Sequence, residues 1–318
     1  MAESMSVFVT AGTSPLGRAV VRQLVAHGHK VTAVTQGKAG ADAAHQDGAM
    51  PVYADPTRAG ELRSMMKMSK PSVVINLTPQ IPNTLLHDGK DWGGFDAMLK
   101  ASTAALLQAS QDSGVSFIVN TSYAFLYGDT HSPADENAAR TAPGSHPAFS
   151  AAIAAEDAIA SSSIPSCLLR AGFLYGGADH NLALYGESFR FGRPFFAGGA
   201  RKTAWVHHED MARAVVLAAE QQPKGEVFNI ADNKLVSLGE FIETYASMIG
   251  ASKPGRVPSL AVPLLSHIKP EQVTLLEQGT EVTTAKAQSK LGWKPQYPTY
   301  QQGLEQALLI MRATEKVS

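Results

Sequence analysis

Cysteine is almost missing from this chain. Cys167 stands alone, which excludes an internal disulfide and a cysteine-built metal centre. It lies in the apolar run Ser166–Leu169, where a small buried hydrophobe is expected rather than a nucleophile. An excess of charge is missing too: 27 Lys+Arg against 28 Asp+Glu leave a formal net charge of −1, with no run of like charges. Nucleic acid and anionic membranes are therefore not expected partners. No apolar stretch approaches the ~20 residues that cross a bilayer. The start, MAESMSVFVTAG, carries an early Glu3 and no basic leader, so no signal peptide is expected. The scattered His and Asp residues show no metal-ligand spacing, and no metal site is expected. The expected class is a soluble, cytoplasmic protein held in a reducing compartment.

What is present is an alternation of short β-rich runs and helical patterns, the mark of βαβ units and a parallel sheet. Strands are predicted at Ser6–Thr10, Lys30–Thr35, Pro51–Ala54, Ser72–Leu77, Ser116–Thr121, Ser166–Arg170 and Glu226–Ile230. Between the first two, Leu16, Val20 and Leu24 recur at helical spacing over Leu16–Ala26, and Gly28 ends that helix. Phe95–Ser110 is the clearest later helix. The fold class predicted is α/β, a doubly wound parallel sheet of Rossmann type with a smaller, discontinuous C-terminal substrate lobe. The expected division places residues 1–173 and 204–232 in the dinucleotide-binding domain, and residues 174–203 and 233–318 in the lobe.

After the first strand comes Ala11-Gly12-Thr13-Ser14-Pro15-Leu16-Gly17. Small residues there let backbone N–H groups at a helix start approach a pyrophosphate. Only Gly12 and Gly17 are glycine; Ala11 and Ser14 stand where the usual fingerprint has two more. A turn that merely packs the helix is the competing reading, and the place after the first strand favours the nucleotide. The second strand ends in Thr35-Gln36-Gly37-Lys38, with no acid to accept the ribose hydroxyls. Lys38 can pair with a 2′-phosphate or simply be solvated, so the cofactor expected is NADP, favoured over NAD.

Several stretches together resemble the extended short-chain dehydrogenase/reductase family, the NAD-dependent epimerases and dehydratases, over nearly the whole chain. Asp55 resembles the family's adenine-binding aspartate, and Asn76-Leu77-Thr78-Pro79 the stretch beneath the cofactor. Asn120-Thr121-Ser122-Tyr123-Ala124-Phe125-Leu126-Tyr127-Gly128 resembles the strand that carries the catalytic Ser or Thr. Leu168-Leu169-Arg170-Ala171-Gly172-Phe173-Leu174-Tyr175-Gly176 is similar to its arginine-proline loop, with Ala171 in place of proline. Trp205 to Ala214, Val227 to Ala231, and Lys286 to Pro295 complete the pattern. The resemblance implies cofactor contacts from Gly12, Thr13, Ser14, Pro15, Leu16, Gly17, Gln36, Lys38, Asp55, Leu77, Thr78, Pro79, Thr121, Ser122, Ala171, Gly172 and Phe173.

The family's chemistry uses a Tyr as general acid, assisted by a Lys four residues later. Counted back from Glu156, those positions fall on Ala148 and Ala152, and no Tyr or Lys occurs between His146 and Glu156. The catalytic Ser position, counted from Tyr127, falls on Tyr123, with Ser122 just before it. Tyr123 and Ser122 are thus the catalytic candidates; Tyr123 as a plug of the emptied space is the competing reading. His207 is expected to be a hydrogen-bonded core residue, with His208 free to face the pocket. The function expected is a nicotinamide dinucleotide-binding protein with a degenerate catalytic site and regulatory or assembly work. The alternative is an NAD(P)-dependent oxidoreductase or epimerase with a non-standard acid such as Tyr123. Arg190, Arg193, Arg201 and Lys202 hint at a small anionic or sugar-nucleotide ligand, and a homodimer stays open.

Overall fold

The computed structural model describes residues 3–77, 94–141, 147–190, 195–197, 201–257, 275 and 277–315. Seven parallel strands form the main sheet: β1 (Ser6–Val9), β2 (Lys30–Thr35), β3 (Met50–Tyr53), β4 (Val73–Asn76), β5 (Phe117–Tyr123), β6 (Ser166–Ala171) and, last in the chain, a strand at Val227–Ile230. Their spatial order runs from Val227–Ile230 through β6, β5, β4, β1 and β2 to β3. Strand order therefore reverses beside β1, which opens a crevice outside the carboxyl ends of β1 and β4.

Except at the edge strand β3, where Met50 and Tyr53 are exposed, these strands are near-continuous apolar runs because both their faces are covered. Val7 and Val9 point to one face, towards helices α1 (Pro15–Ala26) and α7 (His208–Gln221). Phe8, between them, points to the other, with Leu62 and Met66 of α3 (Ala59–Ser69), Leu106 of α4 (Phe95–Asp112) and Ile159 of α5 (Pro147–Ala160). The short α2 (Gly37–Gln46) links β2 to β3. Predicted strand bounds shift by one residue or so, except that β5 runs two residues past Thr121, so that Ser122 and Tyr123 are still on the strand.

Beyond β6 the chain makes three two-stranded pairings. β7 (Phe173–Tyr175) runs parallel to β10 (Trp205–His207), β8 (Phe195–Ala197) parallel to β13 (Gly255–Val257), and β9 (Lys202–Thr203) antiparallel to β12 (Val236–Ser237). This numbering makes the Val227–Ile230 strand β11. A separate aromatic cluster packs around β7 and β10: Tyr175, Tyr185 of α6 (His180–Arg190), Trp205, Phe241 and Tyr245 of α8 (Leu238–Met248), and Tyr300 of α9 (Tyr300–Glu315). Trp205 and Phe241 stack with centroids 4.2 Å apart. Trp293 is fully buried, its indole N–H donating to the carbonyl of Asp210 at 2.8 Å, which ties the C-terminal segment to α7.

A buried ionic knot fixes α5 against β6. Arg170 donates to Glu156 at 2.7 Å and to the Tyr127 hydroxyl at 2.7 Å, and Arg140 reaches the same carboxylate at 2.9 Å. Tyr127 in turn donates to Asn229 at 2.9 Å. Glu156, the one carboxylate at the α5–β6 junction that is fully buried, is thus consumed in holding the helix in place.

Candidate functional site

The crevice is built from the carboxyl ends of the strands. After β1 the chain turns at Ala11, which takes φ +48°, a left-handed conformation that glycine adopts at lower cost. Ala11 stands where the usual fingerprint has a glycine, and its backbone does what that glycine would do. Ser14 caps α1, its hydroxyl accepting from the Gly17 N–H at 3.0 Å, and Pro15 opens the helix, where no N–H is needed. Neither glycine of the turn has room for a side chain. A Cβ on Gly12 would lie 2.7 Å from the Ala33 Cβ, and one on Gly17 would overlap the Ala11 carbonyl oxygen. Leu16 is buried against the sheet, while Thr13 stays half-buried near Gly40.

Gln36 and Lys38 are exposed, and Lys38 lies in the first turn of α2 rather than in a loop. A helix start carries unpaired N–H groups and partial positive charge; this one adds a lysine and has no acid in its first turn. Asp55, after β3, accepts from the N–H and hydroxyl of Thr57 at 2.9 and 2.7 Å and faces Arg58 at 3.3 Å. Those bonds, the Thr57 hydroxyl first, hold its exposed carboxyl below the usual range.

A hydrogen-bonded chain of polar side chains crosses the floor of the crevice. Thr10 donates to Asn76 at 3.0 Å and accepts from the Leu77 N–H at 2.9 Å. Asn76 donates to Asn120 at 2.7 Å, and the Thr121 hydroxyl donates back to the Asn76 carbonyl at 3.2 Å. Thr10 and Asn120 were not among the sequence candidates. The signal for Asn120 was its place, like that of Asn76, at the end of an otherwise apolar strand, and the register sets the two asparagines opposite each other.

Ser122 and Tyr123 close β5, both buried. Tyr123 stacks on Phe125 with centroids 4.8 Å apart, in an apolar cluster with Leu99, Phe149, Ala151, Ala152 and Leu275. A small cleft lies between the strand ends and helices α4 and α5, lined by Asn120, Thr121, Ser122, Tyr123, Thr103 and Ala152 among others. The structure therefore brings Thr121, Ser122, Tyr123 and Ala152 together. Ala148 falls in the first turn of α5, but its side-chain surroundings lie outside the described residues, as do Thr78 and Pro79. On the far side Gly172 is pressed to the backbone, where a Cβ would be 2.7 Å from the Ala204 carbonyl oxygen. Ala171 is buried, and Phe173 sits half-buried between Phe125 and Trp205.

The other sequence candidates lie elsewhere. His207 caps α7, its Nδ1 accepting from the Glu209 N–H at 3.2 Å, and burial pushes its imidazole down to about 4. His208 is buried beside Gly176 and is pushed down to about 3 by burial and by His207, so it offers no charged acid. Cys167 is fully buried, which pushes its thiol up to about 12. Arg201 pairs with Asp129.

The sequence from residue 7 to 231 matches the NAD dependent epimerase/dehydratase family. The chain belongs to that family. Among curated proteins it is 28% identical to a 3-diazoavenalumate denitrifying reductase from a Streptomyces species, over 94% of this chain and 99% of that protein. It is 23% identical to a 4-hydroxy-2-methyl-3-oxo-4-farnesyl-3,4-dihydroquinoline-1-oxide ketoreductase of Stigmatella aurantiaca, over 95% of each. Among solved structures it matches UDP-glucose 4-epimerase of Thermotoga maritima with a TM-score of 0.80 at 20% identity, over 98% of this chain and 100% of that one. The dTDP-glucose 4,6-dehydratase of Bacillus anthracis, solved with NAD, gives 0.80 at 17%, over 98% of each. These likenesses establish the Rossmann-type α/β fold. Gly12 packs against β2 and Gly17 against the backbone of the turn itself, the close strand-to-helix approach that a turn beside the pyrophosphate of a nicotinamide dinucleotide, the cofactor class in the family's name, requires.

Proposed function

We propose that this chain is a nicotinamide-dependent reductase whose substrate takes up hydride without needing a proton from the protein, an aryl diazo compound in its diazonium form being the substrate class. A bound nicotinamide would supply the hydride to the ring carbon, while the carbon–nitrogen bonding pair leaves with dinitrogen. No oxyanion forms on that path. Hydride addition to a ketone, by contrast, creates an alkoxide that a site must protonate. The observation that carries the proposal is the absence of any phenol or ammonium group on α5; the resemblance to the family sets Ala148 and Ala152 where its Tyr and Lys would stand. The full-length relative described as a denitrifying reductase of a diazo compound supports the same chemistry.

In this reading the chain's own residues position and exclude. The Gly12–Gly17 turn holds the pyrophosphate, and Asp55 the adenine. Lys38, at an uncompensated helix start, favours the 2′-phosphate of NADP. The Thr10–Asn76–Asn120–Thr121 chain locks the strand ends beneath the nicotinamide, and Tyr123, Phe125 and Phe173 wall the substrate side with aromatic rings. Orientation of the reacting carbon is then the main catalytic contribution.

A second reading is a cofactor-binding protein of regulatory or assembly function without turnover. It is favoured by the burial of Tyr123 in an apolar cluster with Ala152, which fits a plugged site. Steady-state assays with NADPH separate the two. The reductase reading expects oxidation of NADPH with an aryl diazonium substrate, none with ketones or sugar nucleotides, and unchanged turnover in Tyr123→Phe. Absence of turnover with the diazonium substrate defeats it, and a sharp loss in Tyr123→Phe points instead to Tyr123 as an acid.

A further inference from the structure

On the opposite edge of the molecule, three side chains converge that the cofactor site does not use. His27 caps the end of α1, Gly28 follows with φ +86°, and His29 leads into β2. The left-handed glycine lets the rings of His27 and His29 turn towards the same point, their centroids 6.4 Å apart. Glu220, in the last turn of α7, meets them there. One of its oxygens, Oε1, lies 2.8 Å from His27 Nδ1 and 3.0 Å from His29 Nε2. The donor atoms of all three lie within 4.8 Å of one another.

We propose that His27, His29 and Glu220 bind one divalent transition-metal ion of the zinc class, joining the end of α1 to the last turn of α7. Two imidazoles and a carboxylate are a common donor set for such ions, with bonds of roughly 2.0–2.2 Å. Donors around an ion of that size stand about 3–3.5 Å apart, so the two Glu220 contacts need only a small expansion to admit it. The His29 side chain is fully buried and Glu220 is 16% exposed, so both are held in place, while His27, 49% exposed, forms the entry side. Three protein donors leave a position for water. The site cannot be read from spacing, since Glu220 follows His27 by 193 residues.

One bond must change on loading. The Met5 N–H donates to His29 Nδ1 at 3.3 Å, which in the free chain leaves the ring proton on Nε2, facing Glu220. Metal entry at Nε2 moves that proton to Nδ1 and displaces the Met5 N–H. The bond given up is long and weak, so its loss costs little. Because α1 carries the phosphate turn at its other end, loading the ion also stiffens the helix that holds the cofactor.

The test uses the full chain without an affinity tag, stripped with chelator and titrated with Zn²⁺ by calorimetry. Saturable binding of one ion per chain is expected, together with a rise in Tm. Affinity should fall about tenfold or more in His27→Ala and in Glu220→Gln, and stay unchanged in His45→Ala, an exposed histidine of α2. Nitrogen NMR of the imidazoles should show the His29 proton moving from Nε2 to Nδ1 at saturation. No saturable binding overturns the proposal, as does affinity that survives in folded His27→Ala and Glu220→Gln, or an unmoved His29 proton.

Discussion

Substitution at Gly17 puts the phosphate turn to its hardest test. A Cβ there would overlap the Ala11 carbonyl oxygen and approach Gly12 C and Cα at 2.8 and 2.9 Å. All three are backbone atoms, so no side chain can swing aside. Relief comes only if the first turn of α1 lifts off β1, and that movement displaces the N–H groups that would face the pyrophosphate. Overpacking of this kind costs about 1–3 kcal/mol. Expressed wholly in the geometry of the turn, that is a loss of roughly 5- to 150-fold in dinucleotide affinity for Gly17→Ala. Gly17→Val adds two methyl groups and should abolish binding. Gly60→Ala on α3, whose Cβ would meet nothing within 4 Å, is the control. The assay is NADPH fluorescence titration, with thermal melts to show that each variant is folded. A folded Gly17→Val that binds NADPH as the parent does would refute the assigned turn.

The remaining predictions concern charge. Lys38→Ala should weaken NADPH more than NADH in the same titration; tighter NADH binding by the parent chain would contradict the 2′-phosphate argument. Glu156→Leu leaves Arg170 buried without its carboxylate and should cost about 3–5 kcal/mol in chemical denaturation, far more than a change at exposed Asp157. Burial, aided by nearby Asp210 and opposed by the Lys234 N–H, raises the Asp232 carboxyl from 3.8 to about 8. The folded chain then holds a proton there that the unfolded chain has lost, so this group's contribution is full below about pH 4 and declines as pH rises towards 8. Asp232→Asn keeps an acceptor for the Lys234 N–H and cannot ionise. It should therefore raise Tm over the parent at pH 8 and change it little at pH 4; a pH-independent difference would count against the shift.

Much of the fold was legible because the central strands are buried on both faces. Runs such as VFV, VVIN and SCLLRA announce themselves without alternation, and the turn between β1 and α1 carries its own small residues. What escaped depends on distance along the chain. β7 and β10 are three residues each, too short for any period, and they form only because aromatic side chains from α8 and α9 pack against them. Asn76 and Asn120 are two ordinary polar residues until the sheet register aligns them, 44 residues apart, under the site. That Lys38 stands in the first turn of α2 was also not legible, because Gly37, at φ +64°, starts the helix without a side-chain cap before it. The losses expected at Ala148 and Ala152 rest on the family's pattern alone, since alanine in a helix says nothing by itself.

Following the hydride tests the proposed chemistry most directly. NADPH carrying deuterium at the transferred position would be mixed with an aryl diazonium compound and the chain in ordinary water, and the product examined by mass spectrometry and NMR. The account predicts one deuterium on the ring carbon that bore nitrogen, one equivalent of dinitrogen, and the same result with Tyr123→Phe. A product carrying solvent hydrogen at that carbon, or no consumption of NADPH, would contradict it.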